Sequence, residues 1–202
     1  MILITGSNGQ LGTELCHLLD ERSITYTATD AAEMDITHKA AVDEVFQEVK
    51  PTFVFHCAAY TAVDKAEDEG KELDEKINVM GTKNIAEAAE AAGATLVYIS
   101  TDYVFDGQGT TPWQPDCKDY APLNVYGQTK LDGELAVANT LEKYFIVRIA
   151  WVFGVNGKNF IKTMLNVGKT HDTLKVVSDQ VGTPTYTYDL ARLLVDMIET
   201  DK

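Results

Sequence analysis

Short runs of continuous apolar residues alternate along this chain with segments whose apolar positions recur every three or four residues. Met1–Thr5, Ile24–Thr29, Thr52–His56, Ala94–Ser100 and Tyr144–Ile149 read as strands. Their near-unbroken hydrophobicity is expected of a sheet covered on both faces. Between them, Leu11–Glu21 places Leu11, Leu15, Leu18 and Leu19 on one helical face, and Lys39–Val49 does the same with Val42, Val45, Phe46 and Val49 before Pro51 stops it. A long helical region runs from Glu72 to Ala92 and ends at Gly93. Further helices are expected over Leu123–Thr140, Val155–Gly168 and Tyr188–Glu199, with a short extended piece at Leu174–Val177. Strands alternating with helices imply βαβ crossovers and a parallel, doubly wound α/β sheet of the Rossmann type.

The longest irregular stretch, Thr101–Pro122, holds two glycines and three prolines, and loops of that length are commonly functional. Residues 1–202 read as one dinucleotide-binding domain, with roughly 151–202 leading toward a second, smaller substrate lobe. Only Thr200, Asp201 and Lys202 follow the last helix, so the chain reads as a piece of a longer protein with that lobe mostly missing.

Composition narrows the function. The chain is 45% hydrophobic and 24% charged, with no apolar run of the ~18 residues that a membrane helix needs. A net charge of −14 disfavours nucleic acid and anionic membranes as partners. Cys16, Cys57 and Cys117 lack metal-ligand spacing and read as free thiols of a cytoplasmic protein, which has no secretory signal at Met1. The acidic stretch Asp64–Glu75 reads as a solvated helical face, and no metal is expected.

Candidate chemistry begins with Gly6-Ser7-Asn8-Gly9-Gln10-Leu11-Gly12, which joins the first strand to the first helix. Glycines there permit a tight turn and close approach to a pyrophosphate at a helix N-terminus. Asp30, 18 residues past Gly12, follows the second strand, where a carboxylate accepts from adenosine ribose hydroxyls. It favours NADH slightly over NADPH, and Asp35-Ile36 would flank the adenine. Ala58, Ala59 and Tyr60 end the third strand and leave room for a cofactor, while His56 reads as a core histidine. Ser100-Thr101 ends the fourth strand with hydroxyls able to bond a carbonyl oxygen. Tyr126 and Lys130 lie one helical turn apart. An ammonium beside a phenol would lower its pKa from about 10 and equip it for proton transfer.

The ordered strings T-G-x-x-G-x-x-G, H-x-A-A, Asn78-Val79-Met80-Gly81-Thr82-Lys83-Asn84 and Y-x-x-x-K resemble the extended short-chain dehydrogenase/reductases. Within them, Ala58–Asp64, Ser100–Gly107, Asn124–Gly127 and Asp179–Thr185 resemble the dTDP-4-dehydrorhamnose reductase family. The resemblance implies NAD(P)H-dependent reduction of the 4-keto group of a dTDP-sugar, dTDP-4-dehydro-6-deoxy-L-mannose, to dTDP-L-rhamnose. It casts Tyr126 as general acid, Thr101 as the residue orienting the carbonyl, and Lys130 as the ligand of nicotinamide ribose that lowers the tyrosine pKa. Asn78 would sit on the cofactor side and hold a relay water, and Asp102, Tyr103 and Trp151 would line the sugar site. Tyr103 stands where related dehydratases carry a glutamate, which argues for reduction over elimination. Some members of the family are dimers, so a homodimer is within the resemblance. The alternatives are a non-catalytic binding module, like the regulatory subunit of methionine adenosyltransferase, and a sugar-nucleotide epimerase.

Overall fold

A computed structural model describes residues 1–199. Five parallel strands, β1 (Ile2–Thr5), β2 (Tyr26–Thr29), β3 (Phe53–His56), β4 (Thr95–Thr101) and β5 (Tyr144–Ile149), form one sheet in the order β2-β1-β3-β4-β5. The order reverses between β1 and β3, and in open α/β sheets ligands bind outside the strand carboxyl ends at such a point.

Alternate side chains along each strand enter opposite cores. Leu3, Val54, Leu96 and Tyr98 pack under α2 (Lys39–Val49), α5 (Thr82–Ala92) and α6 (Val125–Thr140). Ile2, Ile4, Phe55 and Val97 pack under α1 (Gln10–Glu21) and α8 (Thr187–Glu199). The sheet is thus covered on both faces, as its apolar runs require. Val152–Phe153 (β6) pairs with Thr185–Tyr186 (β7) in a small second sheet, with the Phe153 and Tyr186 rings stacked at 5.3 Å.

Several expectations change. The acidic stretch is not one solvated face: it splits into α3 (Val63–Ala66) and α4 (Lys71–Glu75), and Asp74 is fully buried. The long helix continues from α4 through a π-helical turn, Lys76–Gly81, into α5. Leu174–Val177 forms no strand; the edge at Val152–Phe153 is taken by β7. The helix expected from Val155 starts only at Phe160 (α7, Phe160–Val167). Gly157 at φ 64° breaks the preceding turn, and Asn159 Oδ1 accepts from Lys162 N as the cap.

Candidate active site

The glycine loop leaves β1 at Gly6, whose φ of 67° lies in the left-handed region. A Cβ there would meet Ala58 N at 2.6 Å, so only glycine lets the loop lie against the end of β3. A Cβ on Gly12 would likewise strike the Gly6 carbonyl. Helix α1 begins at an N-cap glycine, Gly9, with no side-chain cap. Its first-turn N–H groups are thereby left to an anion, which is the requirement of a dinucleotide pyrophosphate.

A cleft of about 400 Å³ opens beside this loop and brings together Gly6, Asn8, Gly9, Asp30, Asp35, Ile36, Ala58 and Ala59. Asp30 also holds the loop: Oδ2 accepts from Asn8 N at 3.0 Å and Oδ1 from Ala31 N at 2.8 Å. Each oxygen keeps a further lone pair for a ribose hydroxyl. Hydrogen bonds from Thr37 hold the Asp35 carboxyl below the usual range. Ser7 is tied by its N–H to Thr29 O. Two predicted cofactor residues turn their side chains elsewhere. Leu11 enters the core with α8 and has only its backbone to offer a phosphate, and Gln10 Oε1 accepts from Asn159.

Asn78 also departs from expectation. Its Oδ1 accepts from Tyr60 N at 2.9 Å, while Nδ2 donates to Tyr60 O, to Thr129 Oγ1 and, at short range, to Asp74. The amide is fully engaged by the protein and has no donor left for a relay water. It fixes the Tyr60 loop instead. His56 is a satisfied core histidine, hydrogen-bonded to Thr5 and Thr82 and kept neutral by burial, with a pKa of about 3.

Thr101 is the last residue of β4. Its Oγ1 accepts from Tyr103 N and donates to Asp102 Oδ1, both at 3.2 Å, which shapes the 3₁₀ turn Asp102–Val104. Tyr126 lies in the first turn of α6. That turn is anchored twice: Asn124 Oδ1 accepts from Gly127 N at 2.6 Å, and Glu67 Oε1 accepts from Val125 N at 2.7 Å. The Tyr126 phenol lies beside the Thr101 hydroxyl, and its ring meets Tyr103 edge-on at 5.9 Å. One turn on, Lys130 is buried, with Nζ donating to Ile99 O at 2.8 Å and lying 4.0 Å over the Tyr98 ring.

The sequence assigns Lys130 the task of lowering the phenol pKa, and the geometry reverses the balance. Burial raises Tyr126 to about 12, and the Thr101 hydroxyl opposes it only in part. Lys130 is itself pushed down to about 7 by burial, against the pull of Glu134, Asp74 and Cys57. Burial thus favours its neutral form, and one of its N–H groups donates to Ile99 O. Tyr126 therefore carries its proton throughout the neutral range.

Beyond the 3₁₀ turn, a cleft of about 960 Å³ is lined by Asp102, Tyr103 and Trp151 together with Trp113, Asn124 and residues 179–183. Trp151 holds φ at 46°, a strained value for a non-glycine residue and one that recurs at functional sites. Burial raises the Asp102 carboxyl above the usual range.

The sequence reading missed two buried polar clusters around the trio. Glu134, 2% exposed, takes a two-pronged bond from Arg148 at 2.9 and 2.7 Å and a third from Ser100 Oγ at 2.6 Å. Asp74 and Thr129 form the other cluster, with Thr129 Oγ1 3.1 Å from both Asp74 oxygens. Glu134 was within reach, because it follows Lys130 by four on the same helical face. Asp74 carried no such signal.

The sequence model described as RmlD substrate binding domain matches residues 1–202. The chain belongs to this family. A dTDP-4-dehydrorhamnose reductase of Streptomyces griseus is 45% identical over 190 residues, covering 94% of this chain and 62% of its own length. The reductase of Aggregatibacter actinomycetemcomitans is 41% identical, with 98% and 67% covered. RmlD-family relatives of known structure superpose closely. A dTDP-4-dehydrorhamnose reductase of Clostridium acetobutylicum has a TM-score of 0.94 at 52% identity, over 98% of this chain and 70% of that one. The Bacillus anthracis enzyme, solved in complex with NADP, has a TM-score of 0.91 at 43% identity over the same shares. The chain thus spans about two thirds of the length of these RmlD-family relatives.

Proposed function

We propose that this chain carries the reductase centre of a dTDP-4-dehydrorhamnose reductase, which converts the 4-keto group of dTDP-4-dehydro-6-deoxy-L-mannose to the hydroxyl of dTDP-L-rhamnose with NADH or NADPH. The observation that carries the reading is the placing of the Tyr126 phenol beside Thr101 at the end of β4, next to the cleft lined by Asp102, Tyr103 and Asn124, with Lys130 one turn on and the glycine-loop cleft at the same carboxyl edge of the sheet. The names of the RmlD-family relatives supply the substrate.

Gly6, Gly9, Gly12, the first turn of α1 and Asp30 would hold the dinucleotide, which supplies a hydride when bound. Thr101 bonds the ketone oxygen and orients it toward Tyr126. The phenol then gives its proton to that oxygen as carbon is reduced. A pKa of about 12 suits the donor. The phenol stays protonated at pH 7, yet it is far more acidic than the conjugate acid of the nascent alkoxide, which is about as weak an acid as water. The phenolate left behind recovers a proton from solvent. Lys130 in its charged form would bond the nicotinamide ribose and stabilise that phenolate. Asp102, Tyr103 and Trp151 would grip the sugar. Asp30 suits an unphosphorylated ribose, while the NADP complex of the Bacillus anthracis relative supports use of the phosphorylated form as well.

The test is loss of dinucleotide absorbance on adding the 4-keto sugar nucleotide to the full-length protein. Wild type should turn over, and Tyr126→Phe should lose about 10²-fold or more in kcat while still binding dinucleotide. Full activity in Tyr126→Phe would refute the proton donor. Dinucleotide binding without turnover in wild type would favour a binding module.

A further inference from the structure

Asp74 has no place in the mechanism above, yet it is 0% exposed and lies in the middle of the site's support. Its hydrogen-bond partners are neutral: the Asn78 amide and the Thr129 hydroxyl. A buried carboxylate in such company is costly, since burial favours its neutral form. Its position explains what it could do there. Asn78 holds both the N–H and the C=O of Tyr60 beside the glycine-loop cleft, and Thr129 lies in α6 between Tyr126 and Lys130, bonded also to the Tyr126 carbonyl at 3.0 Å. One carboxylate thus joins the cofactor side of the site to the helix turn that carries the acid.

We propose that Asp74 is a positioning residue, which ties the Tyr60 loop to the Tyr126–Lys130 turn and sets a carboxylate beside Lys130. It acts through Asn78, Thr129 and Lys130. Lys130 is faced by Glu134 on its own helix, by Asp74 from α4, and by His56 and Cys57 at the end of β3. Glu67 and Lys130 are the charged groups that face Asp74. Asp74 is therefore one of two carboxylates that oppose the loss of the Lys130 proton, and the one held in place by both sides of the site. Asn78 lies in the π-helical turn Lys76–Gly81, one turn past Asp74.

The proposal rests on the reductase reading only for its effect on turnover, so the decisive test does not use turnover. The chain is labelled with ¹³Cε-lysine and ¹⁵N, and Lys130 is titrated by NMR in wild type, Asp74→Asn and Thr129→Val. In Asp74→Asn the Lys130 midpoint should fall by about one pH unit, cutting its charged fraction at pH 7 from about half to about a tenth. Thr129→Val breaks the clamp but keeps the charge, so the midpoint should hold. The Tyr60 amide signal should move in both variants. An unmoved Lys130 midpoint in Asp74→Asn, or an unmoved Tyr60 amide in both, would overturn the proposal. Should Asp74→Asn not fold, wild type labelled at Asp ¹³Cγ answers the same question: the Lys130 signal must inflect where Asp74 titrates. With the reductase substrate, Asp74→Asn should lose about fivefold in kcat at pH 7 and recover as the pH falls toward the new Lys130 midpoint. Loss of the NMR effect with turnover intact would sink the Asp74 role alone, and NMR effects without wild-type turnover would sink the reductase reading alone.

Discussion

Replacing Lys130 by methionine should make the folded chain more stable near neutral pH while removing the charge from its site. A free lysine titrates at about 10.4. Burial brings Lys130 down to about 7, so the unfolded chain binds more protons than the folded one between those two values. Stability contributed by this side chain therefore rises with pH across that window. The penalty is absent above about 10.4 and complete below about 7. At pH 7 it amounts to about 4 kcal/mol, and at pH 9 to about 2 kcal/mol. Methionine has a similar unbranched stem and fits the same channel. It gives up the Nζ bond to Ile99 O and the contact over Tyr98, together worth about 1–3 kcal/mol. The net gain at pH 7 is about 1–3 kcal/mol, and at pH 9 it falls to near zero. For a chain of this size each kcal/mol moves Tm by about 2–4 °C. Thermal unfolding followed by circular dichroism should show Lys130→Met melting about 2–12 °C above wild type at pH 7, with the gap closing at pH 9. A variant less stable than wild type at pH 7, or a gap that does not narrow, would refute the reasoning. A gain in stability in Lys130→Met at pH 7 is the signature of a residue kept for function against stability.

Gly6→Ala combines a left-handed backbone penalty of about 1–2 kcal/mol with a Cβ forced 2.6 Å from Ala58 N, so a loss of about 2–5 kcal/mol in urea unfolding is expected, together with loss of dinucleotide binding. Glu134→Gln leaves the Arg148 guanidinium facing a neutral amide in a buried site and should cost about 3–5 kcal/mol in the same assay; a cost under about 1 kcal/mol would mean that Arg148 finds water instead.

The helix Lys39–Val49 and the strand Tyr144–Ile149 end where their patterns end. Each is a local matter: an apolar face closed by Pro51, or a continuous apolar run. The glycine loop was equally legible, because the need for glycine at Gly6 is a backbone requirement that survives any tertiary context. β6 and β7 were not, since two-residue strands have no period to read and exist only where an edge is offered.

The sequence by itself determined the doubly wound sheet, the glycine turn between β1 and α1, and the placing of Tyr126 and Lys130 one turn apart on one helix. All of these rest on periodicity or on spacing along a single element. Tertiary structure alone decided their electrostatics. Burial is a property of the packed molecule, and it turned Lys130 from a full ammonium into a group that titrates near 7 and raised the Tyr126 phenol to about 12. It also drew Asp74 out of an acidic run and Arg148 out of a strand to stand beside helix α6, where residues distant in sequence meet only after the chain has folded.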